Sequence, residues 1–343
     1  MKNVFEYKVT NNYDRKGVSI TGTPVNMETL EIPDEIDGLP VLEIASGAFA
    51  DRKKIINVVF PKHLIQICSS AFDGCSALES VTFPDTLQDI GPHAFNSCIQ
   101  LCDVNFNEGL KLIEHNAFHN CSILKLILPN SLIEIEERAF RNNPITHVQF
   151  GSKLEALGYA VFEGCYLLES LKFPDSLLSL GYDAISGCIS LQWISFGKNL
   201  EDIGSYNDFA FGCYDLKDII VDPENKDFCS INGAFYDKNE KVLIRVPPNM
   251  GVNTFAIPKW VKRLASGCLN DLRLDKVIVY PKTVDGLSLS CIDLSRNISC
   301  IKDSDVEAWA KRQKFDSITQ LSTSINDFLE EIVEEEKTVK QLR

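Results

Sequence analysis

The sequence predicts an α/β solenoid, mostly strand and turn, in which short strands from successive copies of one unit form a parallel sheet. Two observations predict it. An Ala-Phe pair, or a variant of it, recurs at intervals of 22 to 26 residues. The second half of each unit alternates apolar and polar residues with the two-residue period of a half-buried strand. Because one such unit cannot bury its own apolar face, the copies must stack around one continuous core.

The Ala-Phe pairs mark the register of the repeat. They are Ala48-Phe49, Ala71-Phe72, Ala94-Phe95, Ala117-Phe118 and Ala139-Phe140, with the variants Val161-Phe162, Ala184-Ile185 and Ala210-Phe211. Superposing the copies gives the pattern L-x-x-I-G-x-x-A-F-x-G-C-x-x-L-x-x-V-x-F-P. In its first half, Leu87, Ile90 and Phe95 have helix-like spacing, but Gly91 and Pro92 favour a turn with at most a short helical piece. Each unit is therefore predicted to contain one short strand and one return segment.

This pattern resembles the BspA-type, also called Treponema pallidum-type, leucine-rich repeat. Residues 5–7 and 18–41 are similar to the opening hairpin of that family, and residues 222–253 are similar to its inserted hairpin. After the insertion the pattern resumes, with Cys268-Leu269 and Cys291-Ile292 in the place of the Ala-Phe pair. The resemblance implies a right-handed leucine-rich-repeat solenoid over residues 1–301, with an N-terminal β-hairpin cap at 1–46.

Residues 302–343 leave the repeat pattern and are predicted to be helical. Residues 304–315 are typical of a short helix that caps the last repeat. Residues 325–342 place apolar residues at alternating spacings of three and four, after a capping box of Ser324 and Asp327. Two interpretations of this acidic amphipathic helix stay open. It dimerises the protein, or it lies against the end of the solenoid or frays there.

Charge and hydropathy exclude several classes of partner. Lys and Arg number 34 against 48 Asp and Glu, a formal charge of -14, which repels nucleic acids and anionic lipid surfaces. No stretch approaches the roughly 20 apolar residues of a membrane-spanning helix, so neither nucleic-acid binding nor membrane insertion is expected. The first ten residues lack the apolar core of a secretory signal. A cytoplasmic location is therefore expected, with a cell-surface or secreted location as the alternative if a leader has been trimmed.

Six of the twelve cysteines occupy one place in the repeat and are the main candidates for metal or redox chemistry. They are Cys75, Cys98, Cys121, Cys165, Cys188 and Cys213. The alternative is that they are small buried turn residues. Arg52 and Asn143 stand at the same place in other copies, which a hydrogen-bonding turn tolerates and a metal site does not. Paired C-x-x-C zinc spacings are absent, so the sequence favours packing and reduced thiols.

No other group of residues indicates catalysis. The five histidines are scattered, and the pair His119-x-Cys121 recurs in no other copy, which favours a turn or surface histidine. The motifs G-x-S-x-G, G-x-G-x-x-G, H-E-x-x-H and the Walker loop are absent. The sequence therefore predicts a protein without enzymatic activity and without a cofactor.

The outward side of the strands is the predicted binding surface. Val81 and Phe83 point inward, so strand alternation turns their neighbours outward. The same phase gives two outward columns, Asn57, Ser80, Asp103, Lys125, His147, Ser170, Trp193 and Asp218, and Val59, Thr82, Asn105, Ile127, Gln149, Lys172, Ser195 and Ile220. Most members are small and polar. Trp193 stands out, either as an exposed interface anchor or as a ring partly buried against neighbouring units or the inserted hairpin.

These observations predict a non-enzymatic scaffold that recognises a protein or a glycan through the exposed strand face. The predicted ligand contacts are Trp193, Ser170, Lys172, Ser195, Asp218 and Ile220. The alternative is a structural, self-assembling protein that forms a homodimer or larger assembly through the C-terminal helix. A patch centred on Trp193 favours the first function, whereas a strand face without such a patch favours the second.

Overall fold

The computed structural model confirms the predicted solenoid. It describes residues 5–12, 14–25, 27–272, 275–280, 285, 297–313 and 317–321. Each unit forms one rung, and two series of short parallel strands run along the rungs on two sides of one core. We call them the face strands, which are the predicted ones, and the return strands.

The face strands are three or four residues long and lie in register from rung to rung. They are Thr29–Glu31, Asn57–Val59, Ser80–Thr82, Asp103–Asn105, Lys125–Ile127, His147–Gln149, Ser170–Lys172, Trp193–Phe196 and Asp218–Val221. Their hydrogen bonds form three successive sheets rather than one continuous sheet. The two breaks lie on either side of Lys125–Ile127 and His147–Gln149, the strands of the two units that are 22 rather than 23 residues long.

The return strands form the long sheet of the molecule. They are Leu39–Ile44, Gln66–Ile67, Asp89–Ile90, Leu112–Ile113, Glu134–Ile135, Ala156–Leu157 and Ser179–Leu180, with Glu35–Ile36 paired at the edge. The N-terminal hairpin of Glu6–Asn12 and Arg15–Gly22 extends this sheet, so the predicted hairpin cap is confirmed. The sequence pattern predicts a turn in the return segment, and turns do occupy most of it. The sequence does not predict the two-residue return strands, because two residues are too few to show a period.

The repeat phenylalanines form a continuous stack through the core. Phe49, Phe72, Phe95, Phe118, Phe140 and Phe162 are all fully buried. From Phe72 to Phe118 the ring centroids lie 5.2 Å apart and the planes differ by 3°. The phenylalanines that follow the face strands pack edge-on against this stack, as Phe83 does against Phe95 at 5.7 Å. The core is therefore held by contacts between neighbouring rungs, as the stacking argument predicts.

The structure corrects one position of the predicted repeat. Ala210-Phe211 is not the eighth Ala-Phe pair, because Phe211 is exposed whereas Phe209 and Ala210 are buried. The backbone hydrogen bonds agree with this shift. The amide of Gly187 donates to the carbonyl of Phe211, and the equivalent amide of Gly74 donates to that of Asn96, the residue that directly follows an Ala-Phe pair. The buried pair is thus Phe209-Ala210. The shift arises because this unit, measured from Cys188 to Cys213, is 25 residues long.

The six repeat cysteines are buried hydrogen-bond donors at the turn. Each Sγ lies 3.1 to 3.4 Å from a backbone carbonyl of the preceding rung, for example Cys98 from that of Phe72 at 3.2 Å. In the unit that lacks this cysteine, Asn143 Nδ2 donates to the carbonyl of Phe118 at 2.8 Å. Arg52 also donates to a backbone carbonyl, that of Thr23. This position of the repeat therefore requires a hydrogen-bond donor rather than a thiol, which agrees with the presence of Arg52 and Asn143 at the same position in other copies.

These thiols are expected to resist alkylation until the protein unfolds. Burial raises the pKa of Cys75, Cys165 and Cys213 to about 12, and the thiolate is the reactive form. Mass spectrometry of the folded protein should find Cys102, which is exposed, modified first. Denaturation without reductant should then make all twelve cysteines reactive. Rapid modification of the ladder in the folded state, or stable disulfides, would refute its assignment as buried free thiols.

The inserted hairpin and the last rungs complete the described part. Phe228–Ile231, Ala234–Asp237 and Val242–Arg245 are antiparallel, as the resemblance predicts, and Arg263–Leu264 joins the last of them in parallel. The final parallel strands are Thr254–Ile257, Lys276–Val279, Asn297–Ile301 and Ser317–Leu321. The last of them lies in the segment predicted to be helical, so the parallel sheet continues beyond residue 301. The helix Asp305–Arg312 begins at the N-cap Ser304, whose side chain accepts a hydrogen bond from the amide of Glu307. Cys291-Ile292 and the predicted amphipathic helix after residue 324 lie outside the described residues.

Candidate binding face

The face strands place the predicted contact residues in two columns. Strand pairing sets Ser170, Trp193 and Asp218 side by side in one column, and Lys172, Ser195 and Ile220 side by side in the other. The residues between them, Leu171, Ile194 and Ile219, are fully buried in the core. Alternation therefore turns all six predicted residues to the outer side of the sheet, as the sequence phase requires.

Trp193 is the large aromatic residue of this surface. Its exposed fraction is 39 %, so the ring is partly covered by neighbouring units and partly open to solvent. Ile220 is also exposed on the adjacent strand, whereas Ser170 and Ser195 are half-buried and small. Trp193 is thus partly exposed and partly covered, and its role as an interface anchor stays a prediction.

A shallow depression of about 320 Å³ lies beside the Trp193 ring. Besides Trp193, it is lined by Gln192, Lys217, Asp218 and Ile220. Lys217 Nζ donates to Gln192 Oε1 at 3.0 Å. The lining combines the apolar Trp193 and Ile220 with three polar side chains, and the depression is open to solvent. The strand alternation does not predict Gln192 and Lys217, because they lie in the turn one residue before the face strands, where the alternation has not begun.

Comparison with known proteins identifies the repeat. The sequence profile of the BspA type leucine rich repeat region, in six copies, matches residues 23–145 and 134–251. The chain belongs to the BspA-type leucine-rich repeat family. Among solved structures, a leucine rich cell surface protein of Faecalibacterium prausnitzii shares the fold of this BspA-type chain over most of its length, with 19 % identity, 96 % of both chains covered and a TM-score of 0.59.

A leucine-rich repeat protein of Bacteroides ovatus is also similar, with 21 % identity, 88 % of this chain and 99 % of that chain covered, and a TM-score of 0.49. The Treponema pallidum leucine rich repeat protein is 25 % identical over 64 % of this chain and 80 % of its own, with a TM-score of 0.33. No curated protein matches the chain. At 19 % identity, the likeness to the F. prausnitzii protein is one of fold alone.

The inserted hairpin of this BspA-type chain forms one border of the binding face. The amide of Ile219 donates to the carbonyl of Gly233 at 3.1 Å. Gly233 has a φ of +78°, and a Cβ built on it would lie 2.9 Å from Asp218 Oδ1. Because the hairpin turn packs directly on Asp218, it leaves this side chain half-buried and limits the face beyond the Asp218–Val221 strand.

A second depression, of about 390 Å³, lies on the return side of the BspA-type solenoid. Its lining is polar and includes Tyr206, Glu240 and Arg263. The Tyr206 hydroxyl donates to Asp237 Oδ2 at 2.9 Å, and burial followed by that hydrogen bond raises the pKa of Tyr206. Arg263 forms an ion pair with Glu240. The tyrosine and both carboxylates are thus already engaged in internal contacts.

His119, the histidine of the predicted His119-x-Cys121 pair, has an internal partner too. His119 Nδ1 lies 3.0 Å from Asn96 Oδ1, and Asn96 donates to Asp73. Burial lowers the pKa of His119, as do the nearby cations, so the ring is neutral near pH 7. Within the described ranges, no group of three or more His, Cys, Asp or Glu is placed to hold a metal ion. In the same part of the chain, no helix has the length and apolar character needed to cross a membrane.

Proposed function

We propose that this chain is a non-enzymatic binding scaffold that recognises a protein or glycan partner through the face strands around Trp193. The observation that carries the proposal is the open Trp193 ring beside Ile220, on a face whose other outward residues are mostly small or polar. Tryptophan is enriched among the residues that dominate binding energy. We treat residues 1–301 as the binding domain and residues 302–343 as its C-terminal cap.

The surroundings of the ring support a contact with a second molecule. Ser170 on the neighbouring strand and Ser195, two residues along the same strand, are too short to cover the ring. Lys172 and Asp218 place a cation and an anion within one strand of it. A partner that stacks on Trp193 therefore meets hydrogen-bonding groups of both signs, which fixes its orientation. The proposal includes no cofactor and no catalytic step.

We propose a reducing, cytoplasmic compartment for this function. The described cysteines are free thiols, and most are buried against backbone carbonyls. Free thiols at this density are typical of reducing compartments. The F. prausnitzii relative is described as a cell surface protein, so a surface or secreted location is the competing proposal. The thiol measurement above separates the two, because an oxidising compartment favours disulfides.

Replacing Trp193 by alanine is expected to weaken partner binding by 2 kcal/mol or more, which is about 30-fold in Kd. Stability should fall by only about 1 kcal/mol, because part of the ring is already exposed. Partners captured from a cell extract and glycans captured from an array would be quantified on the wild type and the variant. Ile127→Ala is the matched control, since Ile127 lies on the same face with an exposed fraction of 57 %. Equal capture by the wild type and the Trp193→Ala variant would contradict the proposal.

A further inference from the structure

An apolar edge runs along the turns that precede three face strands. Tyr166, Ile189 and Tyr214 directly follow the repeat cysteines of three successive rungs, and all three side chains are exposed. The amide of Asp215 donates to the carbonyl of Ile189, which fixes the last two rungs beside each other. Contiguous exposed apolar side chains mark interaction surfaces. From rung to rung this column contains tyrosine, isoleucine and tyrosine, the same order in both directions.

A charged column lies beside the apolar edge on the same three rungs. It consists of Glu169, Gln192 and Lys217, which occupy one place in the repeat. Their backbones are stacked, since the amide of Gln192 donates to the carbonyl of Glu169 and that of Lys217 to the carbonyl of Gln192, both at 2.8 Å. Glu169 and Lys217 are exposed. When the order of the rungs is reversed, the acid and the base of this column exchange places.

We propose that this edge pairs with the same edge of a second copy, with the two solenoids antiparallel. The two-fold axis is perpendicular to the solenoid axis and passes through the middle rung, that of Ile189 and Gln192. A two-fold interface needs a surface that is complementary to itself, with residue i against j and j against i. Reversing the rungs sets Tyr166 against Tyr214 of the second copy, and Ile189 against Ile189. It also forms two equivalent ion pairs, each between Glu169 of one copy and Lys217 of the other.

The charged column selects this arrangement over the other arrangements of the same edge. A parallel pair of solenoids would set Glu169 against Glu169 and Lys217 against Lys217, which is repulsive. A shift of the antiparallel pair by one rung would set one of the two charges against the neutral Gln192 and the other against a rung outside the three, so both Glu169–Lys217 pairs would be lost. Trp193 lies beyond the edge, on the strand face, and stays at the rim of the proposed contact. Gln192 and Lys217 also line the depression beside Trp193, so the two surfaces share a border, but the pairing does not use Trp193 and a Trp193 variant should keep it.

Exchange of the two charges tests the pairing in the full-length chain. Light scattering over a concentration series should show the wild type approaching twice the chain mass of 38.4 kDa. Glu169→Lys alone and Lys217→Glu alone each place like charges opposite one another, so each should weaken self-association about tenfold or more. The double exchange should restore it. An equimolar mixture of the two single variants should also restore it, because each supplies the charge that the other lacks.

Ile189→Ser and Ile99→Ser form a matched pair for the apolar contact. Both residues follow a repeat cysteine and have similar exposed fractions, 44 % and 48 %, but Ile99 lies outside the three rungs. Ile189→Ser should shift the protein to monomer, whereas Ile99→Ser should leave its mass unchanged, and circular dichroism would check that both remain folded. A monomeric wild type, unchanged masses of the charge variants, or a mixture that fails to associate would each overturn the proposal.

Discussion

Replacing Phe95 by alanine is expected to lower the free energy of unfolding by about 3–5 kcal/mol. The ring is fully buried and lies between Phe72 and Phe118, 5.2 Å from each centroid. Its removal leaves a cavity in the middle of the stack, where the flanking rungs are held by their own hydrogen bonds and cannot close the gap. Denaturant unfolding followed by circular dichroism gives the difference directly.

Phe211→Ala is the control for the Phe95 experiment. Phe211 belongs to an apparent Ala-Phe pair in the sequence, but it is exposed, so its removal should change stability by no more than about 0.5 kcal/mol. The pair of variants therefore tests the corrected register as well as the core. A loss below about 1 kcal/mol for Phe95→Ala, or equal losses for the two variants, would contradict the proposed stack.

Replacing Asp271 by asparagine is expected to destabilise the protein by about 1–3 kcal/mol, because the buried Arg245 guanidinium loses its counter-ion while Asp271 itself is partly exposed. Arg245 is fully buried, and its Nη1 donates to the carbonyl of Gly267 at 2.6 Å. Its Nη2 lies 3.4 Å from Asp271 Oδ2. Asp271 has a φ of +65°, a conformation that asparagine also tolerates, so the exchange removes the charge without straining the backbone.

Asp215→Asn is the control for Asp271→Asn, because both residues are exposed but Asp271 is the one that pairs with the buried Arg245. Its unfolding midpoint should remain close to that of the wild type. Salt should change the stability of the Asp271 variant little, because a buried charge is poorly screened. Equal midpoints for the two variants would show that Arg245 does not depend on Asp271.

The repeat, and the side of each face strand that points to the core, could be predicted from the sequence because both depend on periodic patterns. Eight copies of one pattern fix the stacking, and two-residue alternation fixes which side of Ser80–Thr82 faces the core. The return strands show no period because each has only two residues. The last pair was misplaced by one residue because its unit is longer. The buried Arg245 was also missed, since an isolated arginine in an insertion carries no pattern.

Only part of the candidate site could be predicted from the sequence, because only part of it follows a periodic pattern. The alternation that places Trp193 outward begins at the first residue of the strand, so it carries no information about Gln192 and Lys217 in the preceding turn. The border formed by Gly233 depends on the path of the inserted hairpin, which brings together residues 218 and 233 in a way that no repeat spacing encodes. Neither pattern nor spacing identifies the partner, because different ligands are recognised on the same fold.

Oxidative labelling of Trp193, with and without the captured partner, tests the binding face most directly. Hydroxyl radicals modify exposed aromatic side chains, and mass spectrometry follows each peptide separately. Tyr182 is the internal reference, because it is exposed and follows the return strand Ser179–Leu180 on the other side of the core. We expect the bound partner to slow the oxidation of Trp193 several-fold and to leave that of Tyr182 unchanged. Protection of Tyr182 with Trp193 unchanged would place the binding site on the return side and contradict the proposal.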